Sequence, residues 1–152
     1  MIIDHILESP IFSHLKFDEL ETITAFADYK RLDDNYMLIH EGDEDDHAIY
    51  ILVSGALEIV SSQNENISSE VVISHQDKDL FGEIAWITRE KRTASVRTHG
   101  ASEVIRINGD SLAAFIEENP EAGCRILRNV SIALCKRIKG NNTLIKQILW
   151  NY

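Results

Sequence analysis

A succession of short β-prone segments between Tyr29 and Ile107 constrains the fold more than any other feature of this sequence. The segment from Ala48 to Val53 is almost continuously apolar, which is typical of a buried strand. Turns rich in Gly, Asp and Ser separate the segments, and short strands at this spacing are typical of a β-barrel or a jelly roll. We therefore predict strands at 36–40, 48–53, 56–61, 70–75, 93–98 and 103–107.

Helical patterns precede this region. The apolar residues of 2–7 form a short amphipathic helix that Ser9-Pro10 ends, and a second helix is predicted from Asp18 to about Ala27. The predicted fold class is therefore mainly β: a jelly-roll-like β-roll (a double-stranded β-helix) flanked by N-terminal and C-terminal helices. One domain is expected over 1–152, with helices at 1–28, the β-roll at 29–108 and helices at 110–150.

The C-terminal region is predicted to be helical throughout. Asp110 is expected to cap a helix at 111–118, and Asn119 to cap a longer helix that begins at Pro120. Gly140 is predicted to end that longer helix, and Asn142 to cap a last helix through Leu149.

The longer helix also carries a stripe that is suited to pairing with a second helix. Apolar residues at spacings of three and four form the stripe, which predicts a homodimer through this helix, although packing against the core remains the rival explanation. The members of the stripe are Leu127, Val130, Leu134 and Ile138.

The charge balance excludes one large class of partner. The chain has 25 acidic and 15 basic residues, a net charge of −10, whereas nucleic acid binding depends on neutralising phosphates. We therefore expect no DNA or RNA partner. No apolar run is long enough to cross a membrane, and the first ten residues do not read as a signal peptide, so no membrane partner and a cytoplasmic location are predicted.

Metal and disulfide chemistry are not predicted. Cys124 and Cys135 lie about 16 Å apart on one predicted helix, too far for a disulfide, which fits a reducing compartment. The acids at 41–46 do not follow the order of a calcium loop, and a solvated turn is the better interpretation. The histidines form no HxH or HExxH pair, and no nucleophile–base arrangement can be argued from spacing. We expect no metal, no cofactor and no enzymatic activity.

The stretch FGEIAWITREKRTASVRT, residues 81–98, has the chemistry of a binding site. Gly82 allows the backbone to approach a ligand closely, and the amides of the turn after it suit an anion. Glu83 can only accept hydrogen bonds, whereas Arg92 offers a fork of donors that matches a phosphate. A ligand that contacts both would carry hydroxyls at one end and an anionic phosphate at the other, as a ribose cyclic phosphate does.

This stretch resembles the phosphate-binding cassette of cyclic nucleotide-binding domains, which are shared by catabolite activator-type regulators, kinase regulatory subunits and gated channels. The matching pattern is FGE-x-A, a short spacer and RTA-x-V-x-T, which we call the cassette (residues 81–98). The resemblance implies that Glu83 takes the ribose 2′-hydroxyl and that Arg92 pairs with the cyclic phosphate. Trp86 departs from the family pattern, in which an aliphatic residue is usual.

The resemblance also assigns the neighbouring residues. It implies phosphate contacts from the amides around Ile84 and Ala85 and from the hydroxyl of Thr93, and room for the sugar beside Ala94. The predicted ligand-binding residues are Phe81, Gly82, Glu83, Ile84, Ala85, Arg92, Thr93 and Ala94. Residues 41–60 resemble the early hairpin of the family, with one extra residue between Gly42 and Gly55 and with Lys78 where a Gly commonly stands.

The function implied is a regulatory sensor of cAMP or cGMP. The helix from Pro120 is expected to cover the base as a lid, with Asn141 and Asn142 as possible contacts to it, and to relay binding to a second chain or an unidentified effector protein. No DNA-binding appendage is expected after Leu149, because the chain ends at Tyr152. The alternative is a relative of the fold that binds no ligand and serves as a protein-interaction module.

Overall fold

The computed structural model describes residues 1–61, 70–74 and 80–150. The strands within these ranges are β1 (Ala27–Leu32), β2 (Met37–Ile39), β3 (Ile49–Ser54), β4 (Leu57–Ser61), β5 (Glu70–Ser74), β6 (Leu80–Phe81), β7 (Ser95–Thr98) and β8 (Ser102–Ile107). The α-helices are α1 (Ile2–Glu8), α2 (Phe17–Thr24), α3 (Glu83–Thr88), α4 (Gly109–Glu118) and α5 (Pro120–Trp150), with a 3-10 turn at Pro10–Phe12.

The strands form two antiparallel four-stranded sheets. The first has the order β1-β8-β3-β6, and the second has the order β2-β7-β4-β5. This arrangement with flanking helices confirms the predicted β-roll fold, and in the described part of the chain the sheets do not close into a barrel. Helical residues nevertheless outnumber strand residues among those described, because α5 alone spans 31 residues.

The position of strand β3 between two cores explains why its sequence is continuously apolar. Its side chains alternate between two cores, because successive residues of a strand point to opposite faces of the sheet. Ile49 and Ile51 belong to the core that the first sheet shares with the helices, whereas Tyr50 and Leu52 belong to the core between the two sheets. The first sheet is therefore covered on both faces, by helices on one and by the second sheet on the other.

Two predicted boundaries are wrong. Helix α2 ends at Thr24, and Ala27 begins β1, which pairs with β8 from Ala27 opposite Ile107 to Leu32 opposite Ser102. This pairing satisfies the backbone of β1 and overrides the helical periodicity that extended the prediction to Ala27. The cap of α4 is Asn108, whose side-chain oxygen accepts a 2.9 Å hydrogen bond from the Ser111 amide, and not Asp110. Asp110 lies in the first turn instead.

Helix α5 does not end at Gly140. It continues unbroken from Pro120 to Trp150, so the predicted break and the predicted cap at Asn142 are both wrong. A single glycine costs a helix only about 1 kcal/mol relative to alanine, and the flanking residues tolerate that cost. A Cβ placed on Gly140 would meet nothing within 4 Å, so no tertiary packing requires a glycine there.

The predicted stripe on α5 is divided between core and surface. Val130 is buried and Leu134 packs against the helical core, whereas Leu127 is 43% and Ile138 is 58% exposed. The first half of α5 is anchored further by Asn129, whose amide donates to the carbonyl oxygens of Ile11 (3.1 Å) and Ser13 (3.0 Å). Cys124 and Cys135 are both exposed and carry free thiols.

Candidate functional site

The structure brings the cassette residues that were predicted to bind ligand to a single pocket. The pocket lies at the start of α3, against strands of the second sheet and one residue of α5. Its volume is about 100 Å³. The lining residues are Ile39, Ile59, Phe81, Gly82, Glu83, Ile84, Ala85, Arg92, Thr93, Ala94, Val96 and Arg137.

Gly82 positions the pocket because no other residue fits its place. Its φ of +84° lies in the left-handed region, which side chains other than glycine rarely adopt. A Cβ there would also lie 2.7 Å from Nη1 of Arg92 and 2.8 Å from the carbonyl oxygen of Ala48. The glycine thus allows α3 to begin directly against the Arg92 side chain.

Arg92 is a buried cation, with 2% of its surface exposed. Its Nη1 donates to the carbonyl oxygen of Gly82 (2.9 Å), its Nη2 donates to that of Ala48 (2.7 Å), and the Asp46 carboxylate is 3.4 Å away. Its Nε is buried and has no hydrogen-bond partner within the described residues. A buried donor without a partner is costly, so an anionic acceptor that reached this group would be stabilised.

The backbone of Arg92 is held by the acidic turn between β2 and β3. The Arg92 amide donates to the carbonyl oxygen of Asp43 (2.8 Å), and the Gly42 amide donates to that of Arg92 (2.8 Å). The Glu41 amide donates to the Ser95 hydroxyl (2.9 Å). The turn that sequence reasoning treated only as solvated therefore fixes the second half of the cassette.

Glu83 is the other buried ionic group of the pocket. It is the first residue of α3, 3% exposed, and its Oε1 accepts a hydrogen bond from Nη1 of Arg137. Nη2 of Arg137 donates to the carbonyl oxygen of Leu80, and the guanidinium lies over the Phe81 ring, 5.6 Å from its centroid. Helix α5 thus reaches into the pocket through one side chain.

Sequence reasoning missed Arg137, although its position carried a signal. Arg137 lies three residues after Leu134 and seven after Val130, which places all three on one face of α5. Val130 is buried and Leu134 packs against the core, so a cation that continues this face needs a partner. The identity of that partner depends on a contact across 54 positions of sequence, which no local pattern supplies.

The remaining predicted residues differ in exposure. Ala85 is buried, Ala94 is half-buried, and Ile84 and Thr93 are exposed at the rim. Asn141 also lies on the exposed surface and does not line the pocket, and the side chain of Asn142 lies outside the described part of the structure. The proposed contact of these asparagines with the base stays a prediction.

Trp86 connects the cassette to α4. Its indole Nε1 donates to the carbonyl oxygen of Gly109 (2.8 Å), and a Cβ on Gly109 would lie 2.8 Å from the Trp86 ring. A salt bridge between Arg89 and Asp110 (2.7 Å) adds a second link. The residue that departs from the family pattern therefore ties α3 to the start of the C-terminal helices.

A second ionic cluster lies outside the pocket. Glu58 on β4 accepts hydrogen bonds from Arg97 (2.6 Å) on the paired strand β7, and its Oε1 lies 2.5 Å from His99 Nδ1. The hydrogen bond from Arg97, with that from His99, lowers the pKa of Glu58 below its ordinary value, although burial opposes the shift. Ile59 and Val96 are the next pair along these strands and face the pocket, so Glu58 and Arg97 point to the other side of the sheet.

Metal binding and membrane insertion find no support in the described residues. No group of three or more His, Cys, Asp or Glu side chains among them is placed to hold a metal ion. None of the helices there combines the length and the apolar character that spanning a bilayer requires.

Comparison with known proteins defines the family. The model of the cyclic nucleotide-binding domain family matches residues 29–119, which is more than half of the chain. The chain therefore belongs to the cyclic nucleotide-binding domain family, and its fold is that of a regulatory cyclic nucleotide-binding domain. The resemblance stated from the cassette residues is confirmed.

Three similar proteins illustrate the range of the family. The cAMP-dependent protein kinase regulatory subunit of Emericella nidulans is 34% identical over 109 residues, which are 72% of this chain and 25% of the subunit. The regulatory domain of Toxoplasma gondii PKA, co-crystallised with cAMP, is 26% identical, with a TM-score of 0.65 over 74% of this chain and 42% of that chain. A cyclic nucleotide-binding domain from Methylobacillus flagellatus KT has a TM-score of 0.81 at 16% identity, over 96% and 83% of the two chains, which shows the fold alone.

The similarity is limited to one part of most relatives. The chain spans a quarter or less of the length of the curated relatives it matches. Their channel, hydrolase or kinase-associated activities are those of the whole proteins.

Proposed function

We propose that this chain is a regulatory module that binds cAMP or cGMP in the cassette pocket and relays binding through α5 to a partner chain. One observation carries the proposal: the eight cassette residues of the family pattern converge on one pocket that contains a buried cation, Arg92, and a buried carboxylate, Glu83. The relative that was crystallised with cAMP supports the choice of ligand class. The proposed role is regulatory and not enzymatic.

The proposed roles of the pocket residues follow their positions. Arg92 pairs with the cyclic phosphate and offers the Nε that lacks a partner in the described structure. The amides of Ile84 and Ala85 and the Thr93 hydroxyl complete the phosphate site. Glu83 accepts the ribose 2′-hydroxyl, which is on the carbon next to the one that carries the 3′-oxygen of the cyclic phosphate.

The remaining cassette residues shape the sugar site. Phe81 and Gly82 form the wall beside Glu83, and the small side chain of Ala94 leaves room for the sugar. Thr93 is exposed at the rim, where its hydroxyl can accept or donate, so its chemistry is compatible with adenine and with guanine.

Choice between the bases is proposed to involve Asn141 and Asn142. A chain truncated after Lys139 should then bind more weakly and discriminate less between cAMP and cGMP.

The proposed output passes through α5. Leu127 and Ile138 are exposed apolar side chains on one stripe of that helix, which favours a homodimer or contact with an effector protein. Ile138→Glu should convert a dimer into a folded monomer by light scattering, whereas Val130→Glu should disrupt the core, because Val130 is 1% exposed. A wild-type monomer at high concentration would exclude the homodimer.

The two free thiols fit a reducing, cytoplasmic location.

Thermal unfolding tests the proposed ligand. A ligand that binds only the folded state stabilises it by RT ln(1 + [L]/Kd), or about 2.7 kcal/mol at a hundredfold excess over Kd. We expect cAMP or cGMP to raise the unfolding temperature, and 5′-AMP, which has a purine and a ribose but no cyclic phosphate, to raise it much less. Equal shifts from the cyclic and the open nucleotide would contradict recognition of the cyclic phosphate.

One observation favours the alternative, a protein-interaction module that binds no ligand. The pocket measures about 100 Å³, and both of its buried ionic side chains already contact protein groups. Pockets for small ligands measure about 300 Å³ or more. On this alternative neither cyclic nucleotide changes the unfolding temperature, and the exposed part of the α5 stripe, Leu127 and Ile138, belongs to the functional surface.

A further inference from the structure

We propose that Arg137 is an intramolecular competitor for the nucleotide site, which occupies the sugar position until a ligand displaces it. The inference rests on the proposed function and adds to it a residue of α5. We call its contacts with Leu80, Phe81 and Glu83 the Arg137 clamp.

The clamp engages the Glu83 carboxylate that a nucleotide is proposed to use, and it covers the Phe81 side of the sugar site. Arg137 donates one hydrogen bond to the Glu83 carboxylate and one to the carbonyl oxygen of Leu80, which is the residue before the cassette. Its guanidinium lies over the Phe81 ring. Glu83 is proposed to accept the ribose hydroxyl, so a guanidinium that donates to the same carboxylate competes with that hydroxyl for the acceptor.

The size of the pocket makes the two occupants exclusive. With Arg137 in place, about 100 Å³ remain, whereas a small-ligand pocket measures about 300 Å³ or more. The Arg137 side chain is 34% exposed, and that of Glu83 is 4% exposed. The arginine can therefore withdraw towards solvent without carrying a charge through the core, and the carboxylate stays where the ligand enters.

The clamp also links the second half of α5 to the cassette. Among the described side chains after Leu134, that of Arg137 is the one that is not fully exposed. The exposed residues are Cys135, Lys136, Ile138, Lys139, Gly140, Asn141, Lys146 and Leu149. Displacement of Arg137 would therefore remove this link and allow this half of the helix to move, while the first half stays packed through Val130 and Asn129.

The same displacement would also allow the predicted contact between Asn141 and the base. Asn141 lies four residues after Arg137, so it is on the same face of α5 one turn further along. A helix that moves after losing the clamp can present Asn141 to the base. The clamp thus supplies the differential contact between the free and bound states that a ligand-driven change requires.

Substitution of Arg137 gives an effect whose sign distinguishes competition from direct binding. A competing state lowers the apparent affinity in proportion to its population, so Arg137→Gln should bind cAMP or cGMP at least about fivefold more tightly than wild type. Loss of a positive charge beside an anionic ligand would by itself weaken binding, so a gain in affinity can be assigned to lost competition. Arg137→Lys, which keeps the charge but lacks the planar fork, should lie between the two.

The matched control is Arg125→Gln. Arg125 lies on the same helix, forms an exposed salt bridge with Glu121 (2.7 Å) and is remote from the pocket, so its affinity should stay within about twofold of wild type. Calorimetric titration measures all four proteins. Amide exchange of residues 135–146 without ligand supplies a second readout and should be faster in Arg137→Gln than in wild type or Arg125→Gln.

Each outcome decides between the two proposals. Tighter binding by Arg137→Gln, or binding by this variant where wild type shows none, supports the clamp. Equal or weaker binding by Arg137→Gln overturns the competition and leaves the nucleotide function standing. Binding by none of the four proteins overturns the nucleotide function. In that case faster exchange in Arg137→Gln would show that Arg137 holds α5 for another purpose, and unchanged exchange would remove that role as well.

Discussion

Arg92 is the residue on which phosphate recognition depends. Its guanidinium is buried and hydrogen-bonded to the backbone of Gly82 and Ala48, so it is held in one place before a ligand arrives. Truncation of a desolvated ionic contact typically costs about 2–5 kcal/mol. We expect Arg92→Ala to weaken binding of a cyclic nucleotide more than tenfold, and to lower thermal stability because the buried carbonyl group of Ala48 and the partly buried one of Gly82 lose their donor.

Arg89→Ala is the matched control for this prediction. Arg89 belongs to the same loop and forms a salt bridge with Asp110 whose two side chains are 46% and 80% exposed. Its loss should change affinity little. Affinity of Arg92→Ala equal to that of the wild type, measured on folded protein, would remove Arg92 from the site.

Glu83 is expected to distinguish ribose from 2′-deoxyribose. If its carboxylate accepts the ribose 2′-hydroxyl, a 2′-deoxy cyclic nucleotide should bind worse by about 1.5–3 kcal/mol, the usual contribution of a hydrogen bond to a charged group. Glu83→Gln should lose most of this preference for ribose. A competition titration with both sugars measures it, and equal affinities of the wild type for the two would leave Glu83 with a structural part only.

At the residue scale, the sequence predicted the cassette but not its surroundings. Gly82, Glu83 and Arg92 carry types and spacings that specify their chemistry, because a left-handed turn, a carboxylate and a guanidinium have few substitutes. The position of Arg137 carried a signal, but its partner could not be predicted, since that partner is distant in sequence. The contact of Asp43 with Arg92 was also not predicted, because Asp43 acts through its backbone carbonyl, which the residue type does not reveal.

Helix α5 is the element in which sequence and structure differ most. We expect Gly140→Ala to stabilise the helix end by about 0.5–1 kcal/mol, because alanine loses less backbone entropy in a helix and its Cβ meets nothing there. Amide exchange around residue 140 should slow by a factor of about two to five, which is the same free energy expressed as a ratio.

Gly123→Ala is the control within the same helix. A Cβ at Gly123 would lie 2.6 Å from Cγ2 and 2.8 Å from the carbonyl oxygen of Ile116, so this change should destabilise the protein. Exchange that is unchanged or faster in Gly140→Ala would mean that α5 ends near Gly140, as its sequence suggested.

The elements of the β-roll were predictable because their patterns are local. The apolar run of β3, the strand β7 at the end of the cassette and the strand β8 after it agree with prediction to within one or two residues. β1 and β6 were not predicted as separate strands, because each depends on its partner: β1 pairs with β8, and the two-residue β6 pairs with β3. Pairing across the sequence decides such elements, and propensity does not.

The stability of the whole molecule should depend on pH through Glu58. Its pKa is lowered in the folded state, so its ion pair with Arg97 stabilises the fold above the ordinary glutamate range. That contribution disappears as the pH falls through the lowered pKa. We expect Glu58→Gln to unfold at a lower temperature than wild type at pH 7, and the difference to shrink between about pH 5 and pH 3.

Glu90→Gln is the control, since Glu90 is an exposed loop residue. Its unfolding temperature should differ little from that of the wild type at either pH. A difference between Glu58→Gln and wild type that stays constant across this range would exclude titration of Glu58 as its cause. Arg97 and His99 face Glu58, so the same scan on His99→Gln reports how much the imidazole contributes.

The central claim is that the cassette pocket binds a cyclic nucleotide, and calorimetric titration of the whole chain with cAMP and with cGMP tests it most directly. We expect saturable binding of one nucleotide per chain for at least one of the two, and loss of that binding in Arg92→Ala. Absence of binding for both nucleotides, in wild type and in Arg137→Gln alike, would contradict the claim and leave a cyclic nucleotide-binding fold that serves protein interaction alone.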